Sequence, residues 1–130
     1  MPHRVLVNVL ENDAGFAAIA GNRVYPHPAK QRPIIPYVTF QRISDSLRQT
    51  LPQPAALIRA RYQLNCWSSS YGGAMNVARA VRRALDGLAD VTASGVRVHS
   101  CRLETTRDMA SMEDADQGVS MDFSIFYEEN

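Results

Sequence analysis

Ile58-Arg-Ala-Arg-Tyr-Gln-Leu-Asn-Cys-Trp67 and the stretch that follows it, Ser68-Ser-Ser-Tyr-Gly-Gly-Ala-Met-Asn-Val-Ala-Arg-Ala-Val-Arg-Arg-Ala-Leu85, decide the fold class. In the first, Ile58, Ala60, Tyr62, Leu64 and Cys66 alternate with Arg59, Arg61, Gln63, Asn65 and Trp67. That period of two predicts a strand with one buried and one polar face. In the second, Ser68–Ser70 offers N-caps. Ala74, Val77, Ala78, Val81, Leu85 and Leu88 then form an apolar stripe, Arg79, Arg82 and Arg83 face away from it, and Gly87 supplies the stop. A strand that turns directly into an amphipathic helix, each with one apolar side, forms the start of a helix-on-sheet core.

Working outward, residues 3–20 read as helix, with Val5, Leu6, Val9 and Leu10 on one face. Asn12 or Asp13 can cap a second helical turn carrying Phe16, Ala17 and Ile19, and Gly21-Asn22 ends it. A short strand, Arg23-Val-Tyr25, precedes a proline-rich crossing, Pro26 to Pro36, read as a stiffened loop. Tyr37-Val-Thr-Phe-Gln-Arg-Ile43 has strand composition. Residues 44–57 are polar, contain Pro52 and Pro54, and read as a long hairpin connection. Strands at Val96–Leu103 and Val119–Tyr127 complete the set, separated by an acidic segment, 104–118, with no aromatic or aliphatic β-branched residue. The expected fold is α+β: a mostly antiparallel sheet of about four strands with helices packed on one face. Leu64, Val81, Leu85 and Phe123 are expected in its core. Segment 104–118 is expected to stay mobile until a partner orders it, Met109 and Met112 forming one adaptable face.

The whole chain, 1–130, fits one domain, and 45% hydrophobic residues suffice for a core without staples. Two cysteines, Cys66 and Cys101, are too few for a disulfide scaffold and read as reduced structural thiols of a cytoplasmic setting. The N-terminus lacks the pattern of a signal peptide, and no stretch has the length of a membrane span, so no membrane partner is expected. A net charge of +1 argues against sequence-independent nucleic-acid binding. The balance hides an asymmetry. Residues 1–103 carry 13 basic groups and five acids, a net of +8; residues 104–130 carry eight acids and Arg107, a net of −7. Of the 14 basic residues all but Lys30 are arginine, which suits rigid ion pairs at interfaces and equally reflects a coding bias.

No constellation for chemistry stands out. His3, His27 and His99 have no ligand partner at helical spacing, and there is no Cys-x-x-Cys. Gly72-Gly73 lacks the rest of a phosphate loop. Glu113, Asp114 and Asp116 lack the calcium-loop pattern and read first as a solvated acidic loop. No cofactor, no metal and no catalytic residue are assigned. Trp67, beside Arg59 and Arg61 on the polar side of its strand, fits either an interface or a face covered by a helix. The candidate interface residues are therefore Arg59, Arg61, Trp67, Glu113, Asp114 and Asp116.

Five segments in order carry a resemblance. They are Gly21-Asn-Arg-Val-Tyr-Pro26, Pro36-Tyr-Val-Thr-Phe-Gln-Arg-Ile-Ser44, Arg61-Tyr-Gln-Leu-Asn-Cys-Trp67, Tyr71-Gly-Gly-Ala-Met-Asn-Val-Ala-Arg-Ala-Val-Arg-Arg-Ala-Leu85 and Asp122-Phe-Ser-Ile-Phe-Tyr127. Together, from about residue 5 to 128, the chain resembles the tail completion and tail terminator proteins of long-tailed bacteriophages and related prophage-derived particles. The resemblance implies a structural virion protein with no catalytic residues: a homo-oligomeric, hexameric ring at the head-proximal end of the tail tube. Such a ring stops tube growth, meets the tail tube protein and the head-tail connector or head-closure protein, and lets DNA pass through its lumen without specific binding. Assembly would take place in the host cytoplasm. Competing readings are a head-closure, connector or tube-like subunit of the same particle, and a small cofactor-free enzyme with a ferredoxin-like fold.

Overall fold

The computed structural model describes residues 2–27, 34–50, 56–93, 95–110 and 117–129. Three helices and six strands occur in the order α1 (His3–Asn12), α2 (Ala14–Ala20), β1 (Val24–Pro26), β2 (Tyr37–Thr50), β3 (Ala56–Ser68), α3 (Tyr71–Leu85), β4 (Leu88–Ala93), β5 (Val96–Ala110) and β6 (Gln117–Glu129). The α+β class is as expected, but the sheet has six strands and not about four.

The expected helix 3–20 is two helices. Asp13 takes an extended conformation, and its carboxylate accepts the Phe16 N–H at 2.8 Å, capping α2 while interrupting the ladder behind it. Gly21, at φ 58°, ends α2 in a conformation that favours glycine. Helix α3 starts where the serine run predicts: Ser70 caps it by accepting the Gly73 N–H at 3.1 Å. It ends at Leu85, two residues before Gly87, the expected stop. Leu88, read as part of the helical stripe, instead opens β4, because Gly87 at φ 87° turns the chain and donates its N–H to the Cys101 carbonyl at 2.8 Å.

The strand order is β1-β2-β3-β6-β5-β4, with β1 parallel to β2 and every other pair antiparallel. The centre is β3 against β6, paired from Ala56↔Glu129 to Ser68↔Gln117 without a register shift. Two expected connections are largely strand. Residues 44–50 extend β2 against β3, and residues 104–110 extend β5 against β6 as far as Ala110↔Gln117. The mobile segment expected at 104–118 is therefore corrected for 104–110 and for 117–118; Met112 and the rest of 111–116 lie outside the described residues. The reason is tertiary. A neighbouring strand supplies the hydrogen bonds that Thr105-Thr-Arg-Asp would not hold alone, and pairing overrides a modest intrinsic preference.

Leu64, Val81, Leu85 and Phe123 all belong to one buried cluster, as expected. Helix α3 lies against β3, β6 and β5; α1 and α2 pack on α3, and α1 also reaches β4. The alternation of β3 delivers Ala60, Tyr62, Leu64 and Cys66 to this core, and that of β6 delivers Val119, Met121, Phe123, Ile125 and Tyr127.

Candidate interaction surface

The alternate positions of the same strands build a second, polar lattice. Register places Arg61 opposite Ser124, Gln63 opposite Asp122, Asn65 opposite Ser120 and Trp67 opposite Gly118. On the far side of β6, Thr105, Arg107 and Met109 continue the rows, and on β2 so do Thr39 and Tyr37. Because paired residues point to one face, this single face runs from charged groups at one end to aromatic ones at the other.

At the charged end Glu104 bridges two arginines. Its carboxylate oxygens lie 3.0 Å from Arg59 Nη2 and 3.1 Å from Arg61 Nη2, and Arg59 Nε donates to Ser124 Oγ at 3.0 Å. Glu104 reaches them because a bulge between Leu103 and Thr105 re-aims it. Further along, Asp122 accepts from Arg107 Nη1 at 3.3 Å and from Gln63 Nε2 at 3.4 Å. Asn65 is 1% exposed and its Oδ1 lacks a hydrogen-bond partner among the described residues. At the aromatic end Trp67 stacks on Tyr37, with ring centroids 6.5 Å apart, and its Nε1–H donates to Thr39 Oγ1 at 3.4 Å. Its ring lies over Gly118 beside Met109.

Arg59 and Arg61, chosen from sequence, are thus brought together, through a carboxylate that sequence reading placed in a loop. Trp67 shares their strand face but is 8% exposed. The exposed-anchor reading of Trp67 is corrected, and its cover is Tyr37, Met109 and the bare Gly118 backbone. Glu113, Asp114 and Asp116 lie outside the described residues. Glu104, Arg107 and Asp122 were missed. A faint signal exists in the polar alternation Ser120, Asp122, Ser124, but only register shows which cations they meet. Register also alters the meaning of the charge split. Glu104, Asp122 and Glu128 of the acidic segment are already engaged inside the subunit, the last with His99 Nε2 at 2.8 Å.

The lattice holds its groups in place through these ion pairs and hydrogen bonds. Among the described residues no group of three His, Cys, Asp or Glu side chains is arranged to hold a metal ion, and no helix is long and apolar enough to cross a membrane. Cys66 and Cys101 are free and buried, and burial pushes both thiols up to about 12, with Asp86 adding to the effect at Cys101. The folded state keeps these protons while an unfolded chain releases them near pH 9. Their contribution to stability is present below about pH 9 and fades as pH rises toward 12. Neither thiol is expected to react with a disulfide reagent in native protein at pH 8, and both are expected to react after denaturation. A fast-reacting native thiol would contradict the burial.

The strand-and-helix domain thus carries a lattice of polar and aromatic contacts on this face, with Asn65, Ser120, Asp122 and Ser124 buried in it. Residues 4–128 match the family model described as "Tail completion protein gp17", and the chain belongs to that family, a family of structural virion tail proteins. No curated protein matches the sequence. In fold, the chain is similar to a chain from the virion of a native gene transfer agent particle, with a TM-score of 0.74 and 20% identity. The match covers 95% of this chain and 91% of that one. The resemblance seen in the sequence is thereby borne out: this is a phage-type tail completion protein.

Proposed function

We propose that the protein forms a hexameric ring at the head-proximal end of the tail tube, ends tube growth there, and joins the tail to the head connector or head-closure protein. The observation that carries this reading is the family match over nearly the whole chain, residues 4–128. Helices gathered on one face of the sheet would leave the lattice of Arg59, Glu104 and Arg61 for neighbours. Near-neutral charge suits a lumen through which DNA slides, since dense cationic contacts grip phosphates. Assembly in the host cytoplasm is in keeping with two free thiols.

Light scattering behind size exclusion, over a range of concentrations, tests the reading. A closed six-subunit species is expected; open-ended growth would point to a tube-like subunit, and a concentration-independent monomer that also fails to cap purified tubes would remove it. Glu113, Asp114 and Asp116 are proposed to meet arginines of the neighbouring subunit. Replacing all three by lysine is expected to weaken assembly, most at low salt, where screening is least. Indifference to that reversal would leave these three carboxylates without a role in assembly.

A further inference from the structure

Both ends of the sheet carry long strands that outrun their outer neighbours. β1 covers β2 only as far as Phe40, and β4 covers β5 only as far as Cys101. Among the described residues, Gln41–Thr50 of β2 and Arg102–Ala110 of β5 therefore have no strand on their outer side, and these open edges, of nearly equal length, lie on opposite sides of the same sheet. Every residue from Gln41 to Ser46 is exposed. The Leu103 N–H is an outward donor that is occupied, Asp86 Oδ1 accepting it at 3.0 Å.

Open edges are templates for pairing, and proteins that remain single blunt them with lysine, proline, shortness or bulges. Neither edge contains a lysine or a proline. Bulges interrupt them, yet leave uninterrupted runs at Ser44–Leu47 and Thr105–Ala110. Exposed large side chains stand beside both. Ile43, 48% exposed, sits at the β2 bulge; Tyr71, 49% exposed, lies against Asp108 of β5, whose charge holds the phenol above its ordinary range. Register also puts Arg42 and Asp108 on the same face of the sheet, through Tyr62↔Phe123 and Val119 of β6. On its own edge Arg42 donates to Asp45 Oδ2 at 3.2 Å, so both charges are already engaged within the subunit.

We propose that the open edge of β5 in one subunit pairs with the open edge of β2 in the next, so that the sheet continues from copy to copy. The occupant of each edge is a second copy of this chain. Two unlike edges give a heterologous contact, the kind that closes into a ring when the rotation between subunits permits. This inference rests on the ring reading above and names the surface that makes it.

Backbone phase supplies the test. Cys101 and Leu103 direct their polar groups outward, toward Gly87 and Asp86. Alternation past the bulge turns the Thr106 N–H outward as well. Thr106→Pro removes that donor and leaves the β5–β6 ladder its bonds. Ring formation is expected to need at least about tenfold more protein, with circular dichroism and subunit melting unchanged. In case the proline variant misfolds, cross-linking gives a second readout. A chain carrying both Ile43→Cys and Thr106→Cys, treated with a short thiol-to-thiol linker, is expected to give a covalent ladder ending at the closed ring. Each single variant is expected to give none, the native thiols being buried. Wild-type rings with no ladder, or dimers from a single variant, would overturn edge pairing while the ring reading stands. A wild-type chain that never assembles would remove both.

Discussion

Leu85→Ala is expected to lower the free energy of unfolding by about 2–5 kcal/mol, the range for removing a fully buried leucine and leaving a partly collapsed cavity. Leu85 is 0% exposed at the last turn of α3 and shares one core with Val81, Leu64 and Phe123. The site has little room to relax. Asp86 follows at once, ties the helix end to β5 by accepting the Leu103 N–H, and the chain then turns at Gly87. In a urea titration the midpoint should fall while the slope stays the same, since the surface exposed on unfolding is unchanged. A midpoint like that of wild type would mean that α3 does not pack where the structure puts it. Under the proposed ring assembly, raising the protein concentration should restore assembly of this variant, because mass action stabilises a folded subunit that assembles.

Gly118→Val sets two effects of opposite sign against each other. Valine suits a strand and removes the excess flexibility of glycine, together a gain of order 1 kcal/mol at an ordinary strand position. Here a Cβ would stand 2.8 Å from Trp67 Cζ3, 2.9 Å from Cε3 and 3.1 Å from Met109 Cγ. The indole has little room to move: Tyr37 stacks on it and Thr39 accepts its N–H. Overpacking of this kind costs about 1–3 kcal/mol, so the variant is expected to lose stability. Trp67 is the one tryptophan in the chain, which makes its emission a direct report. The native spectrum should shift to the red as the ring is pushed toward solvent. Gly72→Ala is the contrast, because a Cβ there meets nothing within 4 Å, and it is expected to be neutral or slightly stabilising. Were Gly118→Val to raise the unfolding midpoint with emission unchanged, the close packing of Trp67 on that backbone would be refuted.

How much of this was legible in the sequence depends on where the information lies. The β3–α3 unit was readable because a run of period two passes into a run of 3.6, and each period states which side chains share a face. The core quartet followed from the same fact, and it is buried as expected. The serine cap and the glycine stops were local chemistry and were readable as such. Strand length was not. Ser44–Thr50 and Glu104–Ala110 carry polar, unremarkable sequence, and they are strands because β3 and β6 lie alongside to satisfy their backbones. Strand β4 was hidden for a similar reason, being short and opened by a leucine that continues the helical period until Gly87 turns the chain.

The candidate surface divides in the same way. Sequence alone determined that β3 has an arginine-bearing polar side, since alternation within one strand is a local property. Only the tertiary structure decided that Glu104 joins Arg59 to Arg61, that Asp122 receives Arg107, and that Trp67 is covered within the subunit. Each of these depends on register between strands far apart in the chain. A one-residue slip of register would send every such side chain to the opposite face, and no local pattern records which register the whole core selects.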